Sequence, residues 1–232
     1  MPEEKQIVVI TGAGISVESG LSTFRDSGGL WEGYDINEVA SAEGWRKDPE
    51  KVLDFYNLRR EQGLKAKPNK AHEALAELED HFEVQIITQN IDELHEKAGS
   101  NDVLHLHGQI TKAKSSLVDD HIIDIGYEPI KIGDKAADGS QLRPHVVWFG
   151  EMVPNLETAA RITSMADILI VIGTSLVVYP AASLIDYAKQ GIDKYIIDPS
   201  GPEFHDIRDW YHIKEKAGSG TPKLVRELIS KS

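Results

Sequence analysis

Short apolar runs recur along the chain, each continuous in character and each ending in a polar or glycine-bearing turn. They are Gln6–Ile10, Phe82–Ile87, Val103–Leu106, His145–Phe149, Ile168–Ile172 and Tyr195–Ile197. Runs rich in Val and Ile that do not alternate suit strands buried on both faces, as in a parallel sheet. Helical patterns lie between them. Asn69 caps a predicted helix through about His81, with Ala71, Leu75 and Leu78 on one side. Pro180 opens another that Gly191 closes, and Thr221-Pro222 supplies a cap and a first-position proline for a C-terminal helix. The alternation predicts an α/β fold, a Rossmann-like doubly wound parallel sheet.

Two stretches break that rhythm. The first, roughly 30–67, contains the helix start Asp48-Pro49 and an amphipathic run through Gln62. In the second, roughly 110–143, Ile123, Ile125 and Tyr127, then Ile130 and Ile132, alternate with polar residues and predict a half-buried hairpin. The expectation is one catalytic domain over 1–232. Its core is 1–29, 68–109 and 144–232, and the two insertions form a small second lobe. A ligand is expected in the cleft between them.

Composition narrows the function. No apolar run approaches the ~20 residues that cross a bilayer, and Met1-Pro2-Glu3-Glu4-Lys5 lacks the basic and apolar regions of a signal peptide. No membrane association and a cytoplasmic location are therefore expected, with a monomer as the favoured state. The chain has no cysteine, which excludes disulfides, thiolate nucleophiles and zinc sites built on sulfur. With 38 acidic against 25 basic side chains, it is poorly suited to nucleic acid as its main partner. A basic peptide remains compatible with the net charge of −13.

Candidate chemistry gathers where strands end. The first strand runs into Thr11-Gly12-Ala13-Gly14-Ile15-Ser16, whose glycines allow a tight turn and approach of backbone N–H groups to a pyrophosphate. Val17 stands where the usual third glycine would be. Gly173-Thr174-Ser175 ends a second strand, and Asp198 ends a third with a carboxylate suited to ribose hydroxyls. Together these predict a dinucleotide site. Thr88-Gln89-Asn90-Ile91-Asp92 emerges at the same edge, where its side chains can bond a carboxamide or, for Asp92, cap the next helix. His105 and His107 are two apart on a predicted strand and hence on one face. With no third ligand nearby, a general-base role fits better than a metal site.

These runs resemble the sirtuin family. The likeness is carried by Thr11 to Ser16, Glu18-Ser19-Gly20, Thr23-Phe24-Arg25 and Thr88 through His95, then by His105-Leu106-His107-Gly108. Val147-Trp148-Phe149-Gly150-Glu151, Gly173-Thr174-Ser175 and Val178-Tyr179-Pro180-Ala181-Ala182 follow in the family's order. The resemblance implies NAD-consuming deacylation of lysine in protein substrates, with NAD as co-substrate. The acyl oxygen attacks the nicotinamide ribose and nicotinamide leaves. His107 then acts as general base on a ribose hydroxyl, and water releases free lysine and an O-acyl-ADP-ribose. It further implies that Asn90 and Asp92 hold the nicotinamide and ribose end, with Gln89 and Ile91 beside them. Phe24 and Arg25 match the loop over that ribose, and Ala217 lies where the chain approaches adenine. Val147, Phe149, Gly150 and Glu151 match the strand that pairs with substrate backbone.

Tyr56 and Arg59, three apart on one helix face, resemble the carboxylate-recognising pair of class III sirtuins, which remove succinyl and malonyl groups. Ala40 matches the small residue that widens their acyl pocket. The family's four zinc cysteines are absent: Ser115 stands near the first, and the second pair is deleted around 135–140. No bound zinc is expected, with Leu117, Val118, Ile122, Ile123, Ile125 and Tyr127 supplying a small apolar core instead. Mono-ADP-ribosyl transfer and a non-catalytic NAD or ADP-ribose-binding module are the alternative functions. A dehydrogenase would need a proton-relay pair that does not accompany the glycines.

Overall fold

The apolar runs become the strands of one parallel sheet. The computed structural model describes residues 5–22, 30–31, 33–118, 121–202 and 206–231. In chain order the strands are β1 (Gln6–Thr11), β2 (Leu30–Trp31), β3 (Tyr34–Asp35), β4 (Glu83–Thr88), β5 (Val103–His105), β6 (Gly108–Ser115), β7 (Ile122–Asp124), β8 (Leu142–Val146), β9 (Ile168–Ile172), β10 (Asp193–Ile197) and β11 (Tyr211–Ile213). The helices are α1 (Ile36–Val39), α2 (Ala42–Lys47), α3 (Pro49–Lys65), α4 (Lys70–Leu78), α5 (Leu94–Ala98), α6 (Leu156–Met165) and α7 (Ala217–Ile229), with 3₁₀ segments at Ala13–Ser19 and Ala181–Tyr187. The large sheet has the order β11-β10-β9-β1-β4-β5 and every pairing in it is parallel.

Successive strand residues point to opposite faces. Ile7, Val9, Ile86, Ile170 and Ile197 therefore pack under α4 and α7 through Leu75, Leu78, Leu224 and Leu228. Val8, Ile10, Ile87, Val171 and Ile196 pack under α6 and the 3₁₀ segment through Ala159, Ile162 and Leu184. Both faces are covered, which explains why the runs do not alternate.

The second lobe carries a three-stranded antiparallel sheet, β7-β6-β8, packed beside α1–α3. Gly108 makes the transition from the core: its φ is +83°, and a Cβ there would lie 2.0 Å from the His145 carbonyl oxygen. Only glycine fits a positive φ and so close a crossing.

Several expectations are corrected. The run His145–Phe149 is not a core strand. The strand is Leu142–Val146, and it belongs to the small sheet because β6 supplies its antiparallel partner. The expected hairpin over 123–132 reduces to β7, which pairs with β6, because Gly126 at φ +54° turns the chain away. The lobe's core is Leu53, Ala113, Ile130, Ala136 and Leu142, with Trp45 and Ile125 against it. Leu117 is 82% exposed and Ile122 and Ile123 about half so; they do not form that core. α7 begins at Ala217, ahead of the Thr221-Pro222 cap, because the Glu18 carboxylate accepts from the Gly218 N–H of its first turn. Pro180 opens only the short 3₁₀ segment ending at Tyr187.

Candidate active site

The C-terminal ends of β1, β4 and β9 and the face of the small lobe enclose one cavity of about 450 Å³. Gly12, Ala13 and Gly14 line it, as do Gln89, Asn90, Ile91, Asp92, His107, Gly173, Thr174, Ser175 and Asp198. So do Ala40, Tyr56, Arg59, Val147, Phe149, Gly150 and Glu151 from the lobe side. Ile15 and Ala217 lie instead in the apolar layer beneath, packed with α4 and α7. Phe24 and Arg25 fall outside the described residues.

The glycine turn has another reason for its glycines. The Gly12 N–H donates to the Ile172 carbonyl (3.0 Å) and the Gly14 N–H to that of Gly173 (2.8 Å), so neither is free for a phosphate. A Cβ on Gly14 would meet Gly173 Cα at 2.7 Å, and one on Gly173 would meet the Ile15 nitrogen at 2.4 Å. The glycines let two strand-end turns interlock. Asp198 is also partly committed, since its Oδ1 accepts from the Ser200 and Gly201 N–H groups.

The polar cluster after β4 is held by its neighbours. The Asn90 N–H donates to Thr88 Oγ1, and its side-chain amide donates to the Gly12 carbonyl and Ser16 Oγ, both at 3.2 Å. Ser16 in turn donates to Asp92 Oδ2 (3.1 Å), while Asp92 Oδ1 accepts from the Leu94 N–H opening α5. Asp92 thus does part of a cap's work and orients Asn90 through Ser16. Sequence alone does not single out Ser16; its place in the turn two residues after Gly14 is the available signal. Burial pushes the Asp92 carboxyl up, against these donors.

β5 ends at His105, so His107 lies on the bend beyond it and the two do not share a strand face. The His107 Nδ1 lies 3.0 Å from the Gln89 carbonyl, which fixes Nδ1 as the protonated nitrogen and leaves Nε2 as the basic one. Burial lowers its pKa below the ordinary 6.5, keeping the ring neutral.

The lobe wall is aromatic. Tyr56 is fully buried, and among the described residues neither its hydroxyl nor the Trp148 indole N–H makes a well-formed hydrogen bond, though the indole lies close enough to act on the hydroxyl. Such groups cost about 1–3 kcal/mol each when left unpaired. Burial also pushes the Tyr56 hydroxyl's pKa up, keeping it a donor. Arg143 stacks on Trp148 at 3.2 Å and binds Glu151 at 2.7 Å. Glu151 additionally accepts from the Trp148 backbone N–H, so its carboxylate braces the wall. β8 stops at Val146, and beyond it the N–H groups of Val147 and Phe149 donate to the His107 and Ala40 carbonyls.

At the far end of the lobe, Ser115 Oγ donates to Asp138 Oδ2 (2.5 Å), contacts Ser140 Oγ (2.8 Å) and accepts the Leu117 and Val118 N–H groups. Neutral hydroxyls already saturated in this way do not fit a zinc ion. Among the described residues no group of three or more His, Asp or Glu is placed to hold a metal.

Comparison with known proteins places this geometry in a lineage. The Sir2 family profile matches residues 12–180. The chain belongs to the Sir2 family. It is 52% identical over 231 residues to an NAD-dependent protein deacylase of Bacteroides thetaiotaomicron, covering 97% of this chain and 98% of that one. A Helicobacter pylori protein of the same description is also 52% identical, over 225 residues. Among solved structures, a Sir2 homologue mutant in complex with ADP-ribose superposes with a TM-score of 0.89 at 44% identity, covering 99% of this chain and 93% of that chain. A Sir2 homologue–NAD complex gives 0.87 at 43%, covering 99% and 91%.

Proposed function

We propose that this Sir2-family chain is an NAD-dependent protein-lysine deacylase that prefers succinyl- and malonyl-lysine over acetyl-lysine. The products are nicotinamide, O-acyl-ADP-ribose and free lysine. NAD enters from the β1 and β9 turns, with Asn90 and Asp92 holding the nicotinamide and ribose end. His107, neutral and basic at Nε2, takes a proton from a ribose hydroxyl as that oxygen attacks the activated acyl carbon. Phe149 and Gly150 flank the peptide at the mouth, and Ala40 leaves room for the acyl chain. The chain's lack of cysteine and the saturated Ser115 cluster support a lobe that folds without zinc.

The acyl preference rests on one observation. The cavity lined by His107 and Asn90 is also lined by Arg59, Tyr56 and Trp148, and among the described residues the buried Tyr56 hydroxyl and Trp148 indole have no well-formed hydrogen bond, though they lie close enough for the indole to act on the hydroxyl. A methyl group there offers the Tyr56 hydroxyl no acceptor, whereas a carboxylate supplies acceptors for Tyr56 and for a charge-assisted bond from Arg59. The test is turnover of matched acetyl-, succinyl- and malonyl-lysine peptides with NAD, following nicotinamide release and peptide mass. Faster removal of the dicarboxylic groups supports the reading, and faster removal of acetyl overturns the preference while leaving deacylation standing.

A further inference from the structure

His105 sits beneath the site, 7% exposed, and its ring is held at both ends. Nδ1 lies 2.9 Å from the Asn90 carbonyl, and Nε2 lies 2.7 Å from the Glu96 carboxylate on α5. Both partners carry acceptor oxygens, so the ring is gripped from two sides. Its neighbour His107 repeats half of this pattern: its Nδ1 donates to the preceding carbonyl, that of Gln89, but its Nε2 faces the cavity. Two imidazoles two residues apart thus bind two successive carbonyls of one strand end. The outer one is free to react and the inner one is clamped. The His105 carbonyl is itself held by the Asn155 side chain (2.9 Å).

We propose that His105 is a positioning residue for catalysis: its Nδ1–H on the Asn90 carbonyl, anchored from behind by Glu96, fixes the Gln89–Asn90 segment against which His107 is oriented. The clamp has no reach to substrate and acts through Asn90 and the Gln89 carbonyl. The charged and titratable groups around it are Glu96 and His95 on α5, Asp92, His107, His145 on β8 and, acting on Glu96, Lys112 on β6. Burial is the largest single influence on the Glu96 carboxyl and raises it, but the His105 contact, a backbone hydrogen bond and Lys112 together bring it below its ordinary value.

This inference rests on the deacylase reading, and two substitutions separate its parts. The amide nitrogen of asparagine falls near histidine Nδ1, and that of glutamine near Nε2. His105→Asn keeps a donor for the Asn90 carbonyl, whereas His105→Gln keeps a partner for Glu96 and loses Asn90. Misplacing a catalytic base by an ångström costs on the order of 100-fold in rate. His105→Gln should therefore lower kcat by about 10- to 100-fold with peptide KM unchanged within about threefold, and His105→Asn should retain kcat within about fivefold. Glu96→Ala, on a partly exposed side chain, should lower kcat by about 3- to 10-fold, again without moving KM. Equal losses in the two His105 variants, or full kcat in His105→Gln, would overturn the proposal. Absence of NAD-dependent turnover in the unaltered protein would instead overturn the functional reading on which it rests.

Discussion

At the residue scale the chemistry turns on the protonation of His107 and on the donors at the acyl end of the cavity. His107 must be neutral to act as a base, and burial lowers its pKa below 6.5. A base with a lowered pKa stays active to lower pH, so the acidic limb of kcat should fall below pH 6.5; a limb clearly above that value would contradict the assignment. His107→Tyr should abolish turnover while ADP-ribose binding, followed by calorimetry, persists. Arg59→Met removes the guanidinium from the acyl end of the cavity. Succinyl-lysine kcat/KM should then fall by about 10- to 100-fold while acetyl-lysine changes by less than about threefold, the size of a lost charge-assisted hydrogen bond. Equal losses on both would refute Arg59 as the carboxylate contact. These residues were legible in sequence through the family's motifs. Ser16, which ties Asn90 to Asp92, was not. A serine in a glycine turn has too many ordinary uses to be singled out before the fold brings β4 beside it.

At the element scale, the core strands could be read because burial on both faces imposes a continuous apolar run, and five of the six expected strands lie in the parallel sheet. The second lobe was harder to read. β7 is only three residues long and exposed along its whole length, so an alternating pattern there marks no buried face. The lobe's outer end is held by polar bonds that hydrophobicity cannot reveal. The Asp138 carboxyl shows this, its pKa lowered to about 2 by the Ser115 and Ser140 hydrogen bonds. A depressed carboxyl contributes stability above its unfolded value of 3.8 and loses it as pH falls toward about 2. Ser115 itself is buried, so Ser115→Ala should destabilise the chain by about 1–3 kcal/mol in urea unfolding. Chelator should not change the melting temperature, and elemental analysis should find no stoichiometric zinc; either a chelator-sensitive transition or one zinc per chain would contradict this view of the lobe.

At the scale of the whole molecule, the sheet edge and the lobe meet at the same cavity, and the sequence signals that meeting only through the order of its motifs. The glycine turn illustrates the limit: its position was evident, but its N–H groups serve the Gly12–Gly173 interlock, a contact between turns 161 positions apart in the chain. Global stability should also report the buried histidines behind the site. His72 is held neutral by burial with a pKa lowered to about 4. Its unfolded form takes a proton near 6.5, so stability falls as pH drops from 6.5 toward 4, by roughly 3 kcal/mol from this group. The central claim is tested most directly by incubating the purified protein with NAD and equal concentrations of acetyl-, succinyl- and malonyl-lysine peptides of one sequence. The expected result is NAD-dependent nicotinamide release with O-acyl-ADP-ribose formed and the dicarboxylic peptides consumed fastest. NAD binding with no peptide losing its acyl group would contradict it.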